Sequence, residues 1–389
     1  MTFGKAIRKE WLLDEDVIFL NHGSFGACPR PVLAVQREWQ ERMEAEPVRF
    51  MTRELPQHLD SARTALATFV GSRADDLVFV HNATDGANAV LRSLLPTFKP
   101  GDELLTASHA YRAVRQTMVY VAELSGAKVV DAQVPFPIAD AGEVTAAIAR
   151  AITPRTAFAV IDHITSPTGV IFPIEQIIAL LKERGIPMLI DGAHAPGQIA
   201  LNLDTLGADY YIGNCHKWLF APKGAALLWV DKKHQSKIHP TVISHFLGGG
   251  YQTEFGWTGT LDPTAWLSIP SGIAFHQKLA AAGSREYTRK MLLDARREIS
   301  TALGVPLAAP EEMLANLCTF PLPHDPDATD ERVQRMHDVL FDEHRIEVPA
   351  MNANGKLYVR ASSQVYNDRS DFDALEAGLV ELASAGRIV

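Results

Sequence analysis

Cysteine is scarce in this chain: three residues in 389, at Cys28, Cys215 and Cys318. An odd, widely spaced set is not a disulfide framework, and no paired-cysteine motif points to zinc or an iron–sulfur cluster. The histidines form no dense HxH or HExxH pattern, so no metal site is expected. Long apolar runs are also missing. No uninterrupted 18-residue apolar segment occurs, and charges break the apolar residues of MTFGKAIRKEWLLDEDVIFL. Neither a membrane span nor a secretory signal is therefore expected, and a cytoplasmic location is. Positive charge is in deficit, with Lys+Arg 37 against Asp+Glu 46 and a formal net charge of -9. That balance argues against indiscriminate nucleic-acid binding but leaves room for a small anionic ligand held by local positive potential. The scattered aromatics form no base-stacking code.

What is present suits a compact globular chain. Hydrophobic residues make up 47% and charged residues 21%, and the length exceeds what one core usually supports, so two domains are expected. Residues 31–45 and 58–70 have helical spacing, the latter stopped by Gly71. From Leu77 short apolar runs recur: LVFV, ELLTAS, KVV, TAFAVI, PMLI, DYYIG and AALLWV. Helical stretches separate most of them, including ANAVLRSLL, 117–124, 141–150 and IEQIIALLKERG. Apolar strands alternating with helices predict an α/β fold with a mostly parallel sheet covered on both faces. Residues 1–20 read as an N-terminal arm packing with the small domain, 21–277 as the large domain, and 278–389 as a smaller C-terminal α/β domain. The latter has strands at NLCTFPL, RIEVPA and KLYVRAS and helices at 284–300, 329–342 and 370–386. Ser370 and Asp373 have capping-box spacing.

Chemistry concentrates at strand ends. Lys217 lies in a polar turn between two apolar strands, where burial or a neighbouring cation can favour the neutral, nucleophilic amine. Asp191 and His194 follow the PMLI strand at the edge where α/β sheets assemble ligands. A carboxylate there can face a pyridine nitrogen and strengthen an electron sink, and His194 can donate to a phenolic oxygen. HNATDGAN follows a strand and opens a helix, so Thr84 and the backbone at Gly86 and Ala87 can meet a phosphate. His109 and Tyr111 follow another strand; either can stack on a ring, and the sequence does not choose between them.

The segments NHGSFGACP, ATDGAN, SPTGVIFPI, DGAHAPG, NCHKWLFAPKG, WTGTLDP and VRASSQVYN occur in that order. With them the chain resembles a class V member of the fold-type I pyridoxal 5'-phosphate (PLP) enzymes, most closely the isopenicillin N epimerase-like branch, over residues 21–367. The resemblance implies a large domain with a seven-stranded sheet and a homodimer with sites near the subunit boundary. It implies a Schiff base on Lys217, Asp191 beside the pyridine nitrogen and His194 near the ring oxygen. Thr84, Gly86, Ala87, Asn214 and His216 resemble phosphate-side or cofactor-positioning groups. Related chains often carry Ser at the position of Asn214. Thr260 would reach the partner's phosphate site. Arg360 would clamp a substrate carboxylate through paired hydrogen bonds, and Asn21, His22 and Ser24 would line the substrate side. The favoured reaction is amino-acid epimerisation, with Lys217 as base on one face. Alternatives are a carbon–sulfur lyase or cysteine desulfurase-like activity, an aminotransferase, and a non-enzymatic PLP-fold protein. The MNANGKLYVR loop lacks the cysteine that a persulfide-forming desulfurase can carry there.

Overall fold

The computed structural model describes residues 2–324 and 326–388; the expected outer domain limits at 1 and 389 lie outside the described residues. Seven strands build the large sheet: β1 (Leu77–Val80), β2 (Glu103–Ala107), β3 (Lys128–Ala132), β4 (Thr156–Asp162), β5 (Met188–Asp191), β6 (Tyr210–Asn214) and β7 (Ala226–Val230). Their spatial order is β1-β7-β6-β5-β4-β2-β3. Only β7 is reversed, antiparallel to both β1 and β6, while the other pairings are parallel. The expected mostly parallel seven-stranded α/β fold is the one observed. Antiparallel neighbours need only a short link, whereas parallel ones need a crossover. The β6–β7 connection is therefore a compact loop at the sheet edge, and Lys217 sits in it.

The helices used below are α1 (Leu55–Val70), α2 (Ala83–Leu94), α3 (Arg112–Ser125), α4 (Ala141–Ala151), α5 (Ile174–Glu183), α6 (Ser284–Leu303), α7 (Asp330–His344) and α8 (Arg369–Ser384). Strand side chains alternate between two cores. Phe158, Val160, Leu189, Tyr210 and Ile212 pack with Ala87, Val90, Leu91, Val114 and Met118 of α2 and α3. Ala159, Ile161, Met188, Ile190 and Tyr211 pack on the other face with Leu66, Val144, Ile177 and Leu181 of α1, α4 and α5. Covering both faces explains why these strands read as continuous apolar runs.

The smaller unit has β8 (Leu317–Pro321), β9 (Ala350–Ala353) and β10 (Lys356–Ser362) in the antiparallel order β9-β10-β8. The expected single strand RIEVPA divides. Ile346–Glu347 pairs in parallel with Ile18–Phe19 of the N-terminal arm, while Ala350 onward joins β9. Pro349 lies between them and has no N–H for a ladder. Two other expectations shift. α3 begins at Arg112 instead of 117; a short helix also occupies His22–Phe25. The capping box of α8 is Asp368 with Asp371, not Ser370 with Asp373. The helix starts one residue earlier than expected, and a carboxylate at its N-cap also meets the positive end of the helix dipole. Asp373 instead bonds Arg369 one turn away, at 2.6 Å.

Two glycines are required by close approach. A Cβ on Gly86 would lie 2.7 Å from Ile212 Cγ2, so its absence lets α2 settle on β6. Gly26 has φ +69°, and a Cβ there would come within 2.1 Å of the His216 carbonyl oxygen and 2.8 Å of Lys217 Cα. The N-terminal segment thus presses directly on the lysine loop. Gly26→Ala should lower stability by about 3 kcal/mol through strain and overpacking, read as a fall in the denaturant midpoint, with Gly101→Ala, at an open positive-φ turn, costing less.

Candidate active site

Asp162, Asp191 and Asn214 are the last residues of β4, β5 and β6. Continuing the alternation of each strand puts all three on the face covered by α2 and α3. Asp162 and Asp191 are also direct partners in register. A cavity of about 470 Å³ opens at this edge, and all three residues line it. Its size falls in the range of small-molecule sites.

Lys217 enters the same cavity from the β6–β7 loop. Its Nζ lies 3.2 Å from His194 Nε2, while the Trp218 indole N–H points at His194 Nδ1 over 3.3 Å. An indole nitrogen can only donate. Nδ1 is therefore the acceptor, and the neutral ring carries its proton on Nε2, which donates to a lone pair on Nζ. The network thus requires an unprotonated lysine. Charge favours the same state. Burial and the Arg360 cation lower the Lys217 pKa to about 7, against the opposing pull of Asp191. Burial, then Lys217, holds His194 well below the usual histidine range.

Asp191 accepts the Ala193 N–H at Oδ1 over 3.0 Å. Its Oδ2 is buried and has no hydrogen-bond partner among the described residues. Such an orphaned acceptor is costly unless a ligand satisfies it. At the start of α2, Ala83 and Thr84 line the cavity. Asn214 Oδ1 accepts the Ala83 N–H at 2.9 Å. Gly86 and Ala87 lie deeper: the Gly86 N–H is engaged by the Asn82 carbonyl at 3.1 Å, and Ala87 is wholly buried. His216 reaches the cavity wall with Nδ1 donating to the Ala225 carbonyl at 3.1 Å.

Arg360, on β10, is buried behind the wall. Its guanidinium donates to the Ser166 carbonyl, to Ser166 Oγ at 3.3 Å and to Ser24 Oγ at 3.1 Å. It has no carboxylate partner among the described residues, and burial lowers its pKa to about 10. Ser24 in turn donates to Asn21 Oδ1, which is itself held by a bond from Asn21 Nδ2 to Glu347 at 2.9 Å. Of the three N-terminal candidates only Ser24 lines the cavity. Asn21 orients it, and His22 is buried beneath the lysine loop, bonded to the Lys217 carbonyl at 3.1 Å and the Tyr366 hydroxyl at 2.8 Å.

Tyr111 lines the cavity and is 41% exposed. His109 is buried outside the lining, bonded to Thr168 Oγ1 at 3.1 Å and edge-on to Phe136. Thr260 is exposed on a surface loop away from this chain's own cavity. Sequence reading missed Asp162, Ser166 and Lys223, all on the wall. Asp162 ends its strand as Ile-Asp, just as Asp191 does, which was the available signal; Ser166 and Lys223 sit inside motifs already singled out. No metal-holding group of His, Cys, Asp or Glu occurs among the described residues, and none of their helices is long and apolar enough to cross a membrane. A near-neutral amine, an unpaired buried carboxylate oxygen and a helix N-terminus share one cavity. That set fits an aldehyde-bearing pyridine with a phosphate arm.

The profile of the family Aminotransferase class-V matches residues 18–375. A putative L-cysteine desulfhydrase 1 of Oryza sativa subsp. japonica is 33% identical, the match covering 94% of this chain and 83% of that protein. An isopenicillin N epimerase of Amycolatopsis lactamdurans is 32% identical over 97% of this chain and 98% of its own. The apo structure of a cysteine desulfurase from Thermococcus onnurineus NA1 superposes with a TM-score of 0.81 at 20% identity, covering 99% of each chain, which is a likeness of fold. The chain belongs to the class-V aminotransferase family and is a fold-type I PLP-dependent enzyme acting at or beside an amino-acid α-carbon.

Proposed function

We propose that this enzyme is a carbon–sulfur lyase of the cysteine desulfhydrase type, releasing sulfide from an L-cysteine-like amino acid. The observation that carries this reading over a persulfide-forming desulfurase is the placement of sulfur in the chain itself. All three cysteines are buried and none lines the cavity. Burial raises every thiol, Cys28 and Cys318 to about 12 and Cys215 further. A thiol so far from its thiolate is a poor nucleophile. No protein cysteine is placed to capture the departing sulfur as a persulfide, so sulfur leaves as sulfide. The overall reaction balances as cysteine plus water giving hydrogen sulfide, ammonia and pyruvate. The desulfhydrase relatives support the same choice over the epimerisation expected first.

When bound, PLP supplies the electron sink for charge left by removal of the α-proton. Lys217 Nζ would hold it covalently, Asp191 Oδ2 its ring nitrogen, and Thr84 with the α2 terminus its phosphate; His194 would lie near its ring oxygen. Arg360 binds the substrate carboxylate and fixes the Cα–H bond for transfer. Lys217 Nζ would take the α-proton, since burial and Arg360 keep the amine basic but uncharged near neutral pH. Tyr111 supplies an aromatic wall. Epimerisation shares the proton removal and ends instead in return of a proton to Cα; the epimerase relative keeps it as the second reading. The reading includes a homodimer, supported by the exposed Val242, Ile243 and Leu247 and by Thr260 on the surface.

The decisive experiment incubates the PLP-loaded protein with L-cysteine and a panel of other amino acids in deuterated water. Sulfide and pyruvate in equal amounts are expected; an inverted, α-deuterated amino acid without sulfide would select epimerisation. Cys28→Ala, Cys215→Ala and Cys318→Ala should each retain sulfide release, whereas loss in a folded variant would indicate a persulfide carrier. Lys217→Ala should lower kcat at least about 1000-fold. Arg360→Lys should raise KM for the amino acid about 10- to 100-fold, as a forked pair of bonds becomes a point charge. Loading of apoprotein with PLP should follow the neutral Lys217 amine. Its rate rises about tenfold per pH unit below about 7 and levels off above, because the protonated form dominates on the acid side. Stopped-flow absorbance measures it.

A further inference from the structure

Asp162 has no role in the chemistry described so far, yet it is buried and lines the cavity. It ends β4 directly opposite Asp191 at the end of β5. Adjacent strands lie about 4.8 Å apart, and in-register side chains of a parallel pair project to the same face. Two carboxyl groups therefore stand side by side in one cavity wall. Ionising both would put two negative charges at close range in a low-dielectric site, and a carboxyl pair in that position retains a proton. The neighbours decide which member keeps it. Asp191 has the Ala193 N–H on Oδ1, the Lys217 amine nearby and the orphaned Oδ2 aimed at a ligand. Asp162 has the Tyr111 backbone N–H at the start of α3 and its own backbone N–H, both neutral donors.

We propose that Asp162 is a positioning residue that remains a neutral carboxylic acid and so holds its neighbour Asp191 as the single carboxylate of the wall. The proposal rests on the site reading above only in that Asp191 faces the bound ring; it holds whichever bond the enzyme cleaves. Burial raises both carboxyls, and at Asp162 repulsion by Asp191 adds to it, so that Asp162 stands well above the ordinary carboxylate range. The cation near the pair, Arg360, adjoins the substrate end, while Lys217 beside Asp191 is uncharged in its hydrogen-bond network and His194 and His216 are both held neutral. His163, next in sequence, turns to the opposite face and bonds Tyr211 at 3.0 Å. The wall then presents one acceptor, Asp191, and one proton-bearing group, Asp162, on neighbouring strands. Through the Tyr111 N–H, Asp162 also fixes the segment that carries the Tyr111 ring.

Infrared spectroscopy of the full-length apoprotein tests this without turnover. At pH 8 the wild-type protein should show a deuterium-sensitive carboxylic-acid C=O band that is absent from Asp162→Asn and retained in Asp191→Asn. Asp162→Asn, being neutral and of similar shape, should still load PLP and keep the same loading pH midpoint. Loss of the band in Asp191→Asn with retention in Asp162→Asn would overturn the assignment, placing the proton on Asp191. If either variant fails to fold, carbon-13 NMR of aspartate carboxyls in the wild-type apoprotein decides it: a buried carboxyl still protonated at pH 8 is expected, and two ionised buried carboxyls would overturn the proposal. Failure of the lyase reading would appear separately, as absent sulfide from a protein that retains the band.

Discussion

The structure depends on keeping one amine uncharged inside a closed wall. Lys217 is buried beside a buried arginine, and its hydrogen bond comes from a histidine whose tautomer is fixed by Trp218. A protonated lysine there would face both desolvation and repulsion from Arg360. Gly26 and His22 hold the loop from the other side, with Tyr366 bonded to His22, so the N-terminal segment and the connection after β10 both support the lysine loop.

Charge is arranged around that amine by strand position. Parallel strands ending at one edge bring Asp162, Asp191 and Asn214 to the same face without any loop having to place them. Arg360 arrives from a different sheet, carried by β10, and is reached through Ser24 and Ser166 from two separate segments. The cation that would anchor a carboxylate and the amine that would attack thus belong to different structural units.

Much of this was legible from sequence because it repeats a local rule. Continuous apolar runs marked strands covered on both faces, and polar residues just beyond them marked the sheet edge; Lys217 and Asp191 follow from that pattern, whereas Asn214 was named only through the family resemblance. What escaped was tertiary. Asp162 obeys the same Ile-Asp pattern as Asp191 but gains meaning only from its in-register neighbour across the sheet. His109 and Tyr111 were indistinguishable until α3 turned one outward and tucked the other behind Thr168. Asn21, His22 and Ser24 looked equivalent, although a single helical turn sends one to the cavity and two behind it. The divided RIEVPA strand was missed for the same reason: the residues on either side of Pro349 pair in two different sheets, and those partners are distant in sequence.

Two lysines line the cavity, Lys217 and Lys223, and they make the central claim open to a direct measurement. Lys223 donates to the Gly26 carbonyl at 2.9 Å, whereas Lys217 alone is bonded to His194. Borohydride reduction of the PLP-loaded protein followed by peptide mass spectrometry should place the reduced cofactor on Lys217 alone. Attachment to Lys223, or no covalent cofactor on either residue, would contradict the account.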